Sequence, residues 1–509
     1  MVKHSTQESG ILLHVTSLPG DYGIGEIGKE AKQFIDCLKK MGQSLWQILP
    51  LGYPGNTQSP YDLLSSFAGN PLLISLETLV KNGYLQKESL LVNSKQGNHQ
   101  IDFGSLIHYK MDILNRAAKT FYNHTSEEIK RLYQKFCKEN DYWLDDYSLF
   151  LTLKKIHNGR AWNHWSESFR NRETIAIKNI NDEYFSEIEK IKIIQFLFHS
   201  QWKGLKQYAN KNGVKIIGDL PLYVTYDSAE VWANPELFSL NSNGDMTFVS
   251  GVPPCFFSKT GQLWGHPLYQ WKAHETSHYK WWKSRFKKLY EMVDIIRIDH
   301  FNGIAKYWKV PAESSTAVNG EWVEGPGEIF FEQIFNYLNG NSIIAEDLGE
   351  AEKEGGELKN KYGIPGMKIL QSAFGNGHKS YPHSYTENCV VYTGTHDNDT
   401  IVGWFNSQPG EGNTQTKNEI DTERMNVLKY LKTDGKEIHW DMIKIALSSK
   451  ANTVIIPLQD ILGLDSSARM NIPGTVSGNW RWRFDWSMLT EEIMYRMKNL
   501  TTNFNRNQI

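Results

Sequence analysis

Asp294-Ile295-Ile296-Arg297-Ile298-Asp299-His300-Phe301 decides how this chain folds. An apolar run of strand length, too short for a helix, leads into a charged and polar group. Arg297 and Asp299 are two positions apart, so on a strand both side chains leave by the same face. The pattern recurs. Val214-Lys215-Ile216-Ile217 leads into Gly218-Asp219-Leu220-Pro221, and Ser342-Ile343-Ile344-Ala345 into Glu346-Asp347-Leu348-Gly349. Val390-Val391-Tyr392-Thr393-Gly394-Thr395 leads into His396-Asp397-Asn398-Asp399, and Thr453-Val454-Ile455-Ile456-Pro457-Leu458 into Gln459-Asp460.

Working outward, eight such runs are expected to be strands: 11–15, 45–49, 214–217, 294–298, 342–345, 367–371, 389–392 and 453–456. Amphipathic helix patterns lie between them at 27–41, 186–211, 269–292, 328–338 and 441–449. Strand alternating with helix implies a parallel sheet, and strands apolar along their whole length imply burial on both faces. Eight of them fit a closed (β/α)8 TIM barrel better than an open doubly wound sheet, and no glycine-rich phosphate loop follows the first strand. Leu49 and Val214 are more than 160 residues apart, so an insertion must lie between them. Helical patterns at 109–122 and 127–136 make residues 52–190 a mainly helical subdomain on the carboxyl face of a single catalytic domain spanning 1–509, with no separate C-terminal β-domain.

The formal net charge of -2 offers no positive field for nucleic acid or an anionic membrane. The first residues carry no apolar signal core, and no run of about 20 apolar residues could span a bilayer, so the expectation is a soluble cytoplasmic protein. Cys37, Cys137, Cys255 and Cys389 form no CxxC pair and are expected as free thiols. Aromatic residues make up 13% of the chain, including 17 Trp. Their flat faces suit stacking on sugars, or equally a large aromatic core.

A barrel gathers its active site at the carboxyl ends of its strands, where the five polar groups stand. One acidic residue after a strand is commonly a helix cap, but five converging on one face indicate a site. Retaining cleavage of a glycosidic bond needs a carboxylate nucleophile and a protonated carboxyl about 5–5.5 Å away. Arg297 can hold and orient Asp299, which makes Asp299 the better nucleophile. Glu346 has the longer arm and a drier approach, which raises a carboxyl pKa and suits the acid/base. Asp397 is the third carboxylate, placed to grip sugar hydroxyls. A metal bound by His300, His396, Asp397 and Asp399 is the competing reading; no HxxH or HExxH spacing supports it, so no metal is expected.

With these residues in hand the chain resembles the amylomaltases, the 4-α-glucanotransferases of glycoside hydrolase family 77. The resemblance rests on Ser59-Pro60-Tyr61, Gly218-Asp219-Leu220-Pro221, Gly261-Gln262-Leu263-Trp264-Gly265, Arg297-Ile298-Asp299-His300-Phe301, Ala345-Glu346-Asp347-Leu348-Gly349, Gly394-Thr395-His396-Asp397-Asn398-Asp399 and Ala468-Arg469-Met470-Asn471-Ile472-Pro473-Gly474, in order along nearly the whole chain. It implies action on α-1,4-glucans and maltooligosaccharides without a cofactor. Asp299 maps to the nucleophile, Glu346 to the acid/base and Asp397 to the transition-state stabiliser. Arg297, His300, His396, Asp219 and Asn471 map to sugar or nucleophile contacts, Tyr61 to a stacking residue, and Trp264 to a cleft-covering loop over 250–270. Tyr61 and Trp264 could instead simply pack under loops, and Asp219 could mainly orient its neighbours.

Transfer and hydrolysis use the same carboxylates and differ in whether a sugar hydroxyl or water attacks the glycosyl-enzyme. A hydrolase of the α-amylase type is therefore the alternative, and a non-catalytic glycan-binding barrel the distant one. The three carboxylates argue against the binder, since binding alone needs no nucleophile.

Overall fold

A computed structural model describes residues 7–90, 99–338, 340, 342–349, 351–375 and 380–507. Its strands, in chain order, are β1 (Glu8–Leu12), β2 (Leu45–Gln47), β3 (Lys215–Leu220), β4 (Phe248–Val252), β5 (Gln262–Pro267), β6 (Ile295–Ile298), β7 (Lys306–Pro311), β8 (Glu321–Glu324), β9 (Ser342–Ala345), β10 (Gly366–Ile369), β11 (Cys389–Tyr392) and β12 (Thr453–Pro457). Eight of these close a parallel barrel in the order β1-β12-β11-β10-β9-β6-β3-β2. Each of the eight runs anticipated from sequence overlaps one of the barrel strands. The first lies a few residues earlier than expected, because Val15–Ser17 turns into a 3-10 helix.

The barrel strands are apolar and almost wholly buried, as a sheet covered by side chains inside and helices outside requires. Helix Phe185–Lys211 packs on β3 and on helix Lys29–Lys40, with the Trp202 indole donating to the Met292 carbonyl at 2.7 Å. The expected helix over 269–292 is two helices, Trp271–Thr276 and Lys280–Met292. His278 and Tyr279 adopt left-handed backbone between them, with φ of 51° and 55°, which ends the first helix without a glycine or proline to announce it.

Inside the barrel, just below its carboxyl mouth, lies a polar layer. Tyr392 on β11 donates to Gln47 on β2 at 2.7 Å, and Arg297 on β6 reaches Asp219 on β3. Parallel register opposes Asp219 to Arg297 and Ile298 to Ala345, so Asp299 and Glu346 are level one residue beyond β6 and β9, which are adjacent strands.

Between β2 and β3 the chain forms helices Leu76–Lys81, Phe103–His124, Glu127–Ile156 and Thr174–Glu183 before the barrel helix begins at Phe185. Ser126 caps the 30-residue helix by accepting from the Ile129 amide. Lys110, fully buried, anchors this region by pairing with Glu26 and donating to the carbonyls of Leu72 and Ile74 at 2.8 and 3.0 Å.

Four strands outside the barrel make an antiparallel sheet, β5-β4-β7-β8, which the sequence reading did not anticipate. The 250–270 segment expected as a loop carries β4 and β5 and is a hairpin. Its tip reaches across the barrel mouth: both the amide and the hydroxyl of Thr414, in the connection after β11, donate to the Phe256 carbonyl, at 3.2 and 2.8 Å. After β12 the described chain is helical or irregular, ending in helix Glu491–Asn503. No described helix is long and apolar enough to cross a membrane.

Candidate active site

The carboxyl mouth opens into a groove of about 2040 Å³. Tyr61, Trp264, Arg297, Asp299, His300, Glu346, His396, Asp397 and Asn471 all line it. Asp219 does not: its side chain is fully buried beneath the groove, donating no surface to it.

Arg297 ties the floor together. One guanidinium nitrogen lies 2.7 Å from both oxygens of Asp219 and 2.9 Å from Asp299 Oδ1. Burial disfavours its charge, but the carboxylates of Asp219 and Asp299 outweigh burial and hold Arg297 well above its ordinary value. The Tyr61 hydroxyl donates to the other face of Asp219 at 2.7 Å. Asp299 keeps part of its surface in the groove, with 29% of the side chain exposed against none for Asp219. The two acids thus differ by position, one reaching the groove and one beneath it.

Glu346 is set differently. Its Oε2 accepts from the His300 amide at 2.7 Å and its Oε1 from the Leu348 amide at 3.3 Å. The residue is half-buried and lines the groove. Enclosure pushes its pKa well above the usual carboxyl range; Arg297 opposes this and Asp299 reinforces it. His300 makes its bond to Glu346 from left-handed backbone, with φ of 50°, a conformation uncommon for residues other than glycine. Gly303 makes room for it, since a Cβ there would stand 2.6 Å from the His300 ring. Burial lowers the His300 pKa to about 4, so its ring is neutral. Trp264 meets that ring edge-on, with centroids 4.8 Å apart.

Across the groove, Asn471 donates to Asp397 Oδ1 at 2.7 Å, and His396 Nε2 lies 3.5 Å from Asp397 Oδ2. Tyr61 stacks on His396 at 5.2 Å, and Trp480 leans on both rings at 6.0 and 5.8 Å. Arg469 fixes the backbone here by donating to the carbonyls of Asp397 and Asn471, both at 2.8 Å. Trp480 and Arg469 were not named as site residues in sequence, although Arg469 stands two residues before Asn471 in one motif and Trp480 in an aromatic-rich segment just after it. Among the described residues no group of three or more His, Cys, Asp or Glu is arranged to hold a metal ion.

Two carboxyl groups side by side at the mouth of a parallel barrel, above a groove with room for several sugar rings, define a carbohydrate-active barrel enzyme. Residues 13–489 match the family described as 4-alpha-glucanotransferase, glycoside hydrolase family 77. The chain belongs to that family. It is 44% identical over 504 residues to a 4-alpha-glucanotransferase of Synechocystis sp., covering 98% of each chain, and 42% identical to that of Thermus thermophilus, covering 96% of this chain and 97% of the other. Among solved structures it resembles the amylomaltase from Streptococcus agalactiae in complex with acarbose, at a TM-score of 0.92 and 36% identity, covering 98% and 99% of the two chains.

Proposed function

We propose that this chain transfers α-1,4-glucan segments between maltooligosaccharides by retaining double displacement. The observation that carries the proposal is the pairing of Asp299 and Glu346: they are level on adjacent strands, one bonded to a cation and exposed to the groove, the other enclosed and bonded to backbone amides. In the first step the Glu346 proton passes to the glycosidic oxygen, the bond from C1 breaks, and the Asp299 carboxylate bonds to C1. In the second, the hydroxyl of an acceptor sugar attacks C1, its proton returns to Glu346, and Asp299 is released. Charge balances without a cofactor.

Asp397, held by Asn471 and flanked by His396, grips sugar hydroxyls and favours the distorted ring. Tyr61 supplies a ring face as well as its bond to Asp219. Asp219 acts as a positioning residue that holds Arg297 and Tyr61, rather than as a sugar contact, because it has no surface in the groove. The hairpin tip and Trp264 shield the glycosyl-enzyme from water, which favours transfer over hydrolysis. Four free cysteines suit a reducing, cytoplasmic setting.

Incubation with maltotriose tests the reading. A transferase yields glucose with a ladder of longer chains and an almost constant number of reducing ends. Glucose and maltose alone, with reducing ends rising steadily, would establish the hydrolase instead.

A further inference from the structure

Beside His396 lies a small cavity of about 20 Å³. One ordered water needs roughly 10–15 Å³ by this measure and two to four polar partners. Its walls combine His14, His396, Gln459, Asp460, Arg469 and other polar residues with apolar ones such as Leu12 and Met470. Two polar atoms in its walls, His14 Nδ1 and His396 Nδ1, are buried and have no protein partner. Buried ring nitrogens rarely stay unpaired, since each costs about 1–3 kcal/mol.

We propose that His14 is a positioning residue for the transfer reaction, acting on His396 through one buried water held between their Nδ1 atoms. The inference rests on the reading above that His396 serves the sugar at Asp397. His396 Nε2 faces the Asp397 carboxylate, so the useful tautomer carries its proton on Nε2. That leaves Nδ1 as an acceptor needing a donor, and it has no protein partner. His14 Nδ1–H donates to the water, and the water donates to His396 Nδ1. His14 suits this role because burial, aided by the His396 ring, lowers its pKa to about 3 and keeps it neutral. A rotating or wrongly protonated His396 would present a lone pair to Asp397 and repel it. The water thus fixes the tautomer of a ring that Tyr61 and Trp480 already fix in its plane.

Three measurements test this. A wild-type crystal structure at water-resolving resolution should show one water within hydrogen-bond distance of both Nδ1 atoms; clear absence of density there overturns the proposal whatever the enzyme's activity. Ring nitrogen NMR of wild-type protein, with the His396 signal assigned by its loss in His396→Asn, should show a single Nε2–H tautomer; the Nδ1–H tautomer overturns it. His14→Phe keeps the ring shape and removes Nδ1, while His14→Asn returns a polar atom near that position. With maltotriose, kcat should fall about tenfold in His14→Phe with KM little changed, and return to within about twofold in His14→Asn. Equal loss in both variants, or none in either, overturns the positioning role. If the wild type showed no transfer at all, the reading of function would fail while the density and the tautomer still decided the relay.

Discussion

A single nitrogen of Arg297 lies 2.7 Å from each oxygen of Asp219 on the neighbouring strand and 2.9 Å from Asp299 two residues along its own. The guanidinium therefore cannot swing toward the groove without breaking a buried ion pair, which is costly because the abandoned carboxylate would stay out of water. Asp299 is held against a cation that is itself fixed from behind.

Replacing Asp219 by Asn keeps the shape and removes the charge that fixes Arg297. The expected outcome is a drop in kcat of about 10- to 100-fold with little change in the binding of a maltooligosaccharide, read by initial rates and by titration calorimetry. A change in KM alone would make Asp219 a sugar contact after all.

Asp299→Asn removes the nucleophile and should lower turnover by about 10³-fold or more while glucan binding persists, which separates an enzyme from a binding protein.

Glu346 must hold a proton in the first step, and its pKa is raised by enclosure and by Asp299. The rate should fall on the alkaline side as Glu346 ionises, with the limb lying above the ordinary carboxyl range. Glu346→Gln should cost about 10²- to 10⁴-fold and abolish that limb in a pH profile. Retention of the limb in this variant would move the acid role elsewhere.

Trp264 packs edge-on against His300 in the roofed part of the groove. Trp264→Ala should admit water and raise the share of glycosyl-enzyme that is hydrolysed by about tenfold, measured as reducing ends formed per transfer event.

Glu230 is buried, accepts from Ser65 Oγ at 2.6 Å, and burial pushes its pKa up to about 7. A raised carboxyl pKa means stability that is complete below about pH 4.5 and is lost as pH rises toward 7. Glu230→Gln cannot ionise, so its melting midpoint should gain on wild type by about 2 °C between pH 5 and 8. Parallel melting curves across that range would contradict the assignment.

Much of the barrel was legible because its strands are buried on both faces and read as unbroken apolar runs. The antiparallel sheet was not. Lys306-Tyr307-Trp308-Lys309-Val310-Pro311 and Glu321-Trp322-Val323-Glu324 mix charged and aromatic residues, and β4 finds its partner β7 more than fifty residues away. Such strands exist only once the barrel has brought them together. The break at His278 and Tyr279 was invisible because no glycine or proline marks it, and a histidine is only a weak signal of left-handed backbone. That Asp299 and Glu346 come directly after buried strands and line the groove was legible from the strand ends. What the linear order could not reveal was depth: Asp219 lies within β3, level with Arg297, whereas Asp299 stands one residue beyond β6, so one is under the floor and the other on it.

The Thr414 tie to Phe256 has a geometric corollary. β3, which feeds the hairpin, and β11, which feeds Thr414, sit on opposite arcs of the ring. While both bonds hold, the two arcs are tied together above the groove, and the hairpin tip is anchored at its far end as well as at its root.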